Sequence, residues 1–258
     1  MPSTGQHRTE GEDPTMDAAA AVAAASPIIF KVGGAWYFDP VSRAKATEYG
    51  LKAYPFYFAG RSGVIGDIGA ANVVAAIPFF EPGLVTKQWG TATAERSPSE
   101  LGRAAADALA EWGRAKFAGI DSAGRTAELG RRIVEGAEAF GRPLFTAWRA
   151  VPVPDDAPAA LAFTIQSLRE LRGDSHILAC AVLGLSPLEA VVGRDGTEHA
   201  GQFGWAEPYP DPAAVSATRT EAEQLTDRQM IRFYGVLSGA ELDELVEGLR
   251  PTEAAAAG

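Results

Sequence analysis

The chain has 258 residues, 47% of them hydrophobic, and a formal net charge of −10 from 23 basic and 33 acidic side chains. That length and apolar share allow one large core, while the acidic balance without a run of Lys or Arg argues against a nucleic-acid partner. The single cysteine, Cys180, excludes an internal disulfide, and a reducing cytoplasm is the expected compartment.

Residues 1–16 are polar, charged and rich in Gly, Ser and Thr, so they read as a disordered tail without the apolar centre of a signal peptide. Alanine runs at Ala18 to Ala25 and Ala254 to Ala257 raise the hydrophobic count and are expected to bury little area. Pro27 to Val32 reads as a strand or as the start of a helix. Asp39-Pro40 places an N-cap before a proline at the first helical position, and Gly50 ends that helix. The stretch Ala53 to Phe80 is dense in aromatics and glycines, as expected of a buried segment that backbones approach closely. Arg61 and Asp67 lie inside it, and a buried charge requires a partner.

Ser97-Pro98-Ser99-Glu100 opens the clearest helix, with Leu101, Ala105, Ala108, Leu109, Trp112 and Phe117 at helical spacing. A second pattern runs from Ala123 to Phe140 and stops at Gly141. Pro143 begins another, which Pro152 and Pro154 end. From Ala157 the stripe Leu161, Ile165, Leu168 predicts a helix interrupted at Gly173, with Asp174 capping the next one. Ser186-Pro187-Leu188-Glu189 starts a further helix. Pro208, Pro210 and Pro212 form a link to helices over Ala213 to Met230 and Ser238 to Leu249, and a tail follows Pro251. The expected fold is mainly α: a compact multi-helix domain with a disordered N-terminal tail and a short C-terminal helical appendage. The domain boundaries are 1–16 tail, 27–204 main helical domain, 205–251 shortened C-terminal helical region and 252–258 tail. The apolar stretches are expected to fall short of a membrane span.

Among candidate chemistries, metal is the weakest. The three histidines, His7, His176 and His199, have no second ligand at zinc spacing. Gly60-Arg61-Ser62-Gly63 lacks the ending of a phosphate loop and the spacing of a nucleophile elbow. No cofactor is expected. Cys180 lies in an apolar run and reads as a buried small hydrophobe. What remains is Arg172-Gly173-Asp174-Ser175-His176. These residues suit a tight helix–helix turn. They equally suit a pocket in which Arg172 and Arg61 bind an oxyanion, His176 moves a proton as catalytic residue, and Tyr54 and Tyr57 line the wall.

The segments Tyr57-Phe58-Ala59-Gly60-Arg61-Ser62-Gly63, Gly141-Arg142-Pro143-Leu144-Phe145 and Leu168-Arg169-Glu170-Leu171-Arg172-Gly173-Asp174-Ser175-His176 resemble a bacterial protein family often labelled as containing a helix-turn-helix domain. Leu225-Thr226-Asp227-Arg228 and Leu249-Arg250-Pro251 are similar to that family's end, and the resemblance runs from about Trp36 onward. It implies a winged-helix-like segment opening at a pair like Gly204-Trp205. Only about twenty residues lie between Trp205 and Thr226, three of them prolines, so that segment is expected to be truncated.

The expectation that follows is a metal- and nucleotide-independent enzyme, a lyase or cyclising enzyme acting on an anionic small molecule in a specialised biosynthesis. The alternative is a ligand-binding, regulator-like protein that has lost most of its DNA-binding element, or a non-catalytic partner subunit. A homo-oligomer or small protein partner is expected to cover Phe203, Trp205 and Tyr209, with neither nucleic acid nor membrane as partner.

Overall fold

The computed structural model describes residues 15–258, which form twelve α-helices and no strand. The expectation of a disordered tail over 1–16 lies, up to residue 14, outside the described residues. Helix α1 (Ala18–Ala35) leads through a 3₁₀ turn at Trp36–Phe38 into α2 (Pro40–Glu48), α3 (Ala53–Gly63), α4 (Ala70–Ala76) and α5 (Pro82–Ala92). The long α6 (Pro98–Phe117) precedes α7 (Ala123–Gly136) and α8 (Pro143–Ala150). The central α9 (Ala157–Val182) is followed by α10 (Pro187–Gln202), α11 (Pro212–Tyr234) and α12 (Gly239–Ala257).

Most helix starts obey the capping chemistry written in the sequence. Asp39, Ser97, Asp156 and Asp211 each accept a first-turn amide just ahead of a proline at the start of the helix. Ser186 and Ser238 form reciprocal capping boxes with Glu189 and Glu241. Asp67 is exposed rather than buried. Its carboxylate accepts from the amide and hydroxyl of Ser99, adding a second acceptor at the start of α6.

Helix α9 is the hub, packed against α1, α6, α7, α8 and α11. Trp36, Trp112, Trp148, Phe58, Phe117 and Phe145 are fully enclosed in the core. Helices α3 and α6 meet through glycines: a Cβ on Gly102 would sit 2.6 Å from the backbone of Gly63, so neither position has room for a side chain.

One open sequence reading is settled and three expectations change. Pro27 to Val32 is helical, and the alanine-rich start of α1 is core: Ala21, Val22, Ala25, Ile29 and Val32 are buried, and α1 packs against α9, α11 and α12. Ala18–Phe38 is also long and apolar enough to cross a membrane, contrary to the expectation, but one face of it is spent on this packing. The tail after Pro251 is instead the last two turns of α12. Thr252 is buried there and donates to the Leu249 carbonyl.

Candidate functional site

Helix α9 is mostly apolar, yet Gln166, Glu170 and Asp174 recur along it at a spacing of four and all are buried. Such residues share one face of a helix. Glu170 is fully buried, and Arg61 from α3 grips it with both fork positions, Nε to Oε1 at 3.0 Å and Nη2 to Oε2 at 2.7 Å. Oε1 also accepts from Tyr37 Oη (3.1 Å), Gln166 Nε2 (2.8 Å) and Arg169 Nη1 (3.1 Å). Trp36 Nε1 donates to Gln166 Oε1, and Arg61 Nη1 donates to the Tyr57 hydroxyl at 2.9 Å. Burial pushes the Glu170 carboxyl up, but the guanidiniums of Arg61 and then Arg169 outweigh it and hold the pKa at about 2. Burial, then Glu170, raises Tyr37 above its ordinary value. Arg61 is therefore already matched by a carboxylate. The space among Trp36, Tyr37, Phe56, Tyr57, Gly60, Arg61 and Ala105 has no room for a water molecule. Tyr54 stacks beside Tyr57 and donates to the Gln202 carbonyl at 3.4 Å.

The other two predicted residues face α11. Arg172 Nη2 reaches Glu223 Oε2 at 2.5 Å and Asp227 Oδ1 at 3.2 Å. His176 Nδ1 lies 2.9 Å from Thr226 Oγ1, which donates to the Ala222 carbonyl at 2.7 Å. Since that hydroxyl proton is committed, Thr226 accepts, and His176 carries its proton on Nδ1. Its Nε2 then accepts from the Cys180 thiol at 3.4 Å. Burial, then the positive field of Arg219, lowers the His176 pKa to about 4, and burial lifts Cys180 to about 11. The imidazole is neutral at pH 7 and both its nitrogens are occupied. The predicted residues thus fall into two sets: Tyr54, Tyr57 and Arg61 around Glu170, and Arg172 with His176 against α11.

The segment Arg172 to His176 is not a turn. It lies in the unbroken α9, and Asp174 caps a different helix from the side: its Oδ2 accepts the Phe145 amide of α8 at 2.9 Å, where α8 has no cap of its own. Burial pushes the Asp174 carboxyl up to about 7. Beside it Arg142, also buried, donates to Ser175 Oγ, to the Glu138 and Phe140 carbonyls and to Gln229 Oε1. Sequence reasoning assigned no role to Glu170, Arg142 or Gln229. The available signal was Gln166 and Glu170 falling four apart on an apolar face.

Phe203, Trp205 and Tyr209 are each partly covered by the chain itself. Trp205 Nε1 donates to the Phe79 carbonyl, Tyr209 Oη donates to the Trp205 carbonyl, and Phe203 stacks on Phe80. They pack with Val191, Val192 and Ala200 of α10.

Helices α9 and α10 are joined by four residues, Leu183 to Ser186, and cross at 113°. Gly184 takes φ 68°, the Leu185 amide donates to the Cys180 carbonyl and the Gly184 amide to Ala181, and Leu185 buries against Ala179 and Cys180. This is the glycine-terminated stop of a helix, and the turn's length and angle fall within the range of helix-turn-helix connections. The sequence pattern of a helix-turn-helix family matches residues 22–214. The chain belongs to this helix-turn-helix family. No curated protein and no solved structure matches it.

Membership corrects two expectations. A lyase or cyclising biosynthetic enzyme is not what a helix-turn-helix family points to, and the absence of a nucleic-acid partner, argued from net charge, conflicts with it. Net charge is a weak guide because it averages over the whole surface, whereas a nucleic acid would meet only one face of a protein.

Proposed function

We propose that this helix-turn-helix protein is regulator-like and presents α10 to DNA, with α9 as the supporting helix. The observation carrying this is the α9–Leu183-Gly184-Leu185-Ser186–α10 turn and its 113° crossing, inside the stretch that matches the family. Helix α10 is broken at Gly196, which takes φ 77°; Arg194 before the break and Thr197 and His199 after it are exposed, while Ala190, Val191, Val192 and Ala200 hold both parts to the body. No strand accompanies the unit among the described residues, so the reading is of a wingless element. This fits the shortened segment between Trp205 and Thr226. Arg194 is the only Lys or Arg on α10, so few counterions are released and binding is weak with a shallow salt dependence. A log–log slope of about −1 is expected. The predicted site residues on α9 serve in this reading to hold the helix, not to turn over a substrate.

Selection from a random duplex pool, followed by fluorescence anisotropy at 50–200 mM salt (about a fourfold range, wide enough to read that slope), tests the proposal. Enrichment of a sequence whose binding weakens on Thr197→Ala or His199→Ala is the expected result. No enrichment, with anisotropy unchanged at the lowest salt, refutes it.

A further inference from the structure

Around the seam of α1, α9, α10 and α11, guanidinium groups gather more closely than their carboxylates account for. Arg169 and Arg194 both lie over the ring of Phe30, at 5.7 and 4.2 Å, so these two cations flank one aromatic side chain. Arg172 and Arg219 share the two oxygens of Glu223, at 2.5 Å each. Arg219 is only 6% exposed and packs beneath Gly193, the residue before Arg194. Arg169 lies along Gly33 and Gly34 of α1, and a Cβ on Gly33 would sit 2.8 Å from its side chain, so the absence of one there leaves space for Arg169. The acidic groups facing these four arginines are Glu223, Asp227, Asp195 beside Arg194 at 3.2 Å, and Glu170, which Arg61 already engages.

Three donors in the cluster are buried without a hydrogen-bond partner among the described residues: Nε of Arg169, Nε of Arg172 and Nη1 of Arg219. A buried guanidinium N–H left unsatisfied is costly, and three of the five buried side-chain atoms without a partner among the described residues lie in this one seam, Ser62 Oγ and Trp112 Nε1 being the others.

We propose that Arg169, Arg172, Arg194 and Arg219 form a binding site for a small oxyanion, a phosphate or carboxylate group, between α9 and α10. Guanidinium forks recognise the oxygens of such groups with paired N–H donors. A DNA backbone phosphate does not suit the site, because Arg219 lies under α10. The inference stands on the arginine geometry; Arg194 is common to it and to the proposed DNA-facing helix.

The test is thermal unfolding and isothermal titration of the full chain with inorganic phosphate and, separately, citrate, each against sodium chloride at matched ionic strength. A saturable rise in melting temperature beyond that given by chloride is expected. Arg194→Gln and Arg169→Gln should each weaken binding about tenfold or more, the size expected for losing one charged hydrogen bond. Arg228→Gln, an exposed change on α11 outside the cluster, should leave it unaltered. A rise no larger than that with chloride overturns the proposal. So does binding that Arg194→Gln and Arg169→Gln leave at full strength. Citrate without phosphate, or the reverse, assigns the carboxylate or the phosphate as the recognised group.

Discussion

Replacing Glu170 with Gln keeps the shape of the side chain and removes the one negative charge facing Arg61 and Arg169. Because Glu170 is fully buried, solvent cannot take over its role. Breaking a buried ion pair from one side costs about 3–5 kcal/mol. The depressed pKa gives a consistent magnitude. A carboxyl that titrates at about 2 in the folded chain, against an ordinary 4.5, is worth about 3 kcal/mol at neutral pH. For a chain of this size that corresponds to a fall in melting temperature of about 6–20 °C. The sign with pH follows from the direction of the shift. The folded pKa lies below the unfolded one, so the contribution is fully present above pH 4.5 and is lost as pH falls toward 2. Urea unfolding followed by circular dichroism at 222 nm, from pH 7 to pH 3, measures it directly. The gap between Glu170→Gln and the unaltered chain should be constant down to about pH 5 and narrow below it. A difference under about 1 kcal/mol at pH 7 would mean that the arginines find other counter-charge, and the reading of this network would fail.

Asp174 should behave in the opposite way. Its folded pKa of about 7 lies above the ordinary 3.8, so its contribution is fully present below pH 3.8 and is lost as pH rises through 7. Asp174→Asn keeps an acceptor for the Phe145 amide and should be the more stable protein at pH 8, with little difference at pH 4, in the same unfolding assay. The His176 imidazole should titrate near pH 4 by NMR, and its contribution is lost as pH falls from 6.5 toward that value. His176→Ala should cost about 2–5 kcal/mol through the cavity and the unpaired Thr226 and Cys180, and a normal titration near 6.5 would contradict its burial. Gly63→Ala should destabilise by about 1–3 kcal/mol, because the atoms it meets are the α6 backbone and cannot rotate away; an unchanged urea midpoint would contradict that contact.

The helical architecture was legible because its starts are chemically marked. Asp39-Pro40, Ser97-Pro98 and Ser186-Pro187 each announce a helix by a side-chain acceptor followed by a proline, and each is found there. Stops were harder to read. Gly173 suggested an end and Pro251 another, yet α9 and α12 run through both, since packing on both sides offsets the propensity cost of one glycine or proline. Within the candidate site, Arg61, Arg172 and His176 were read from the sequence as ligand-binding and catalytic residues, and the structure shows each of them hydrogen-bonded to another side chain of the protein. Their partners Glu170, Glu223 and Thr226 lie 109, 51 and 50 positions away in the chain, a distance that no local pattern encodes.

The unbroken α9 has a mechanical consequence. At 26 residues it is a rod of about 39 Å, and Gln166, Glu170, Arg172, Asp174 and His176 fasten its middle to the 3₁₀ turn at Trp36–Phe38 and to α3, α11 and α8. Sliding it by even one residue, about 1.5 Å, would break these bonds together rather than in turn. Backbone amides from Gln166 to Cys180 should therefore exchange with deuterium at one common, slow rate, as a single unit released only when the whole molecule opens.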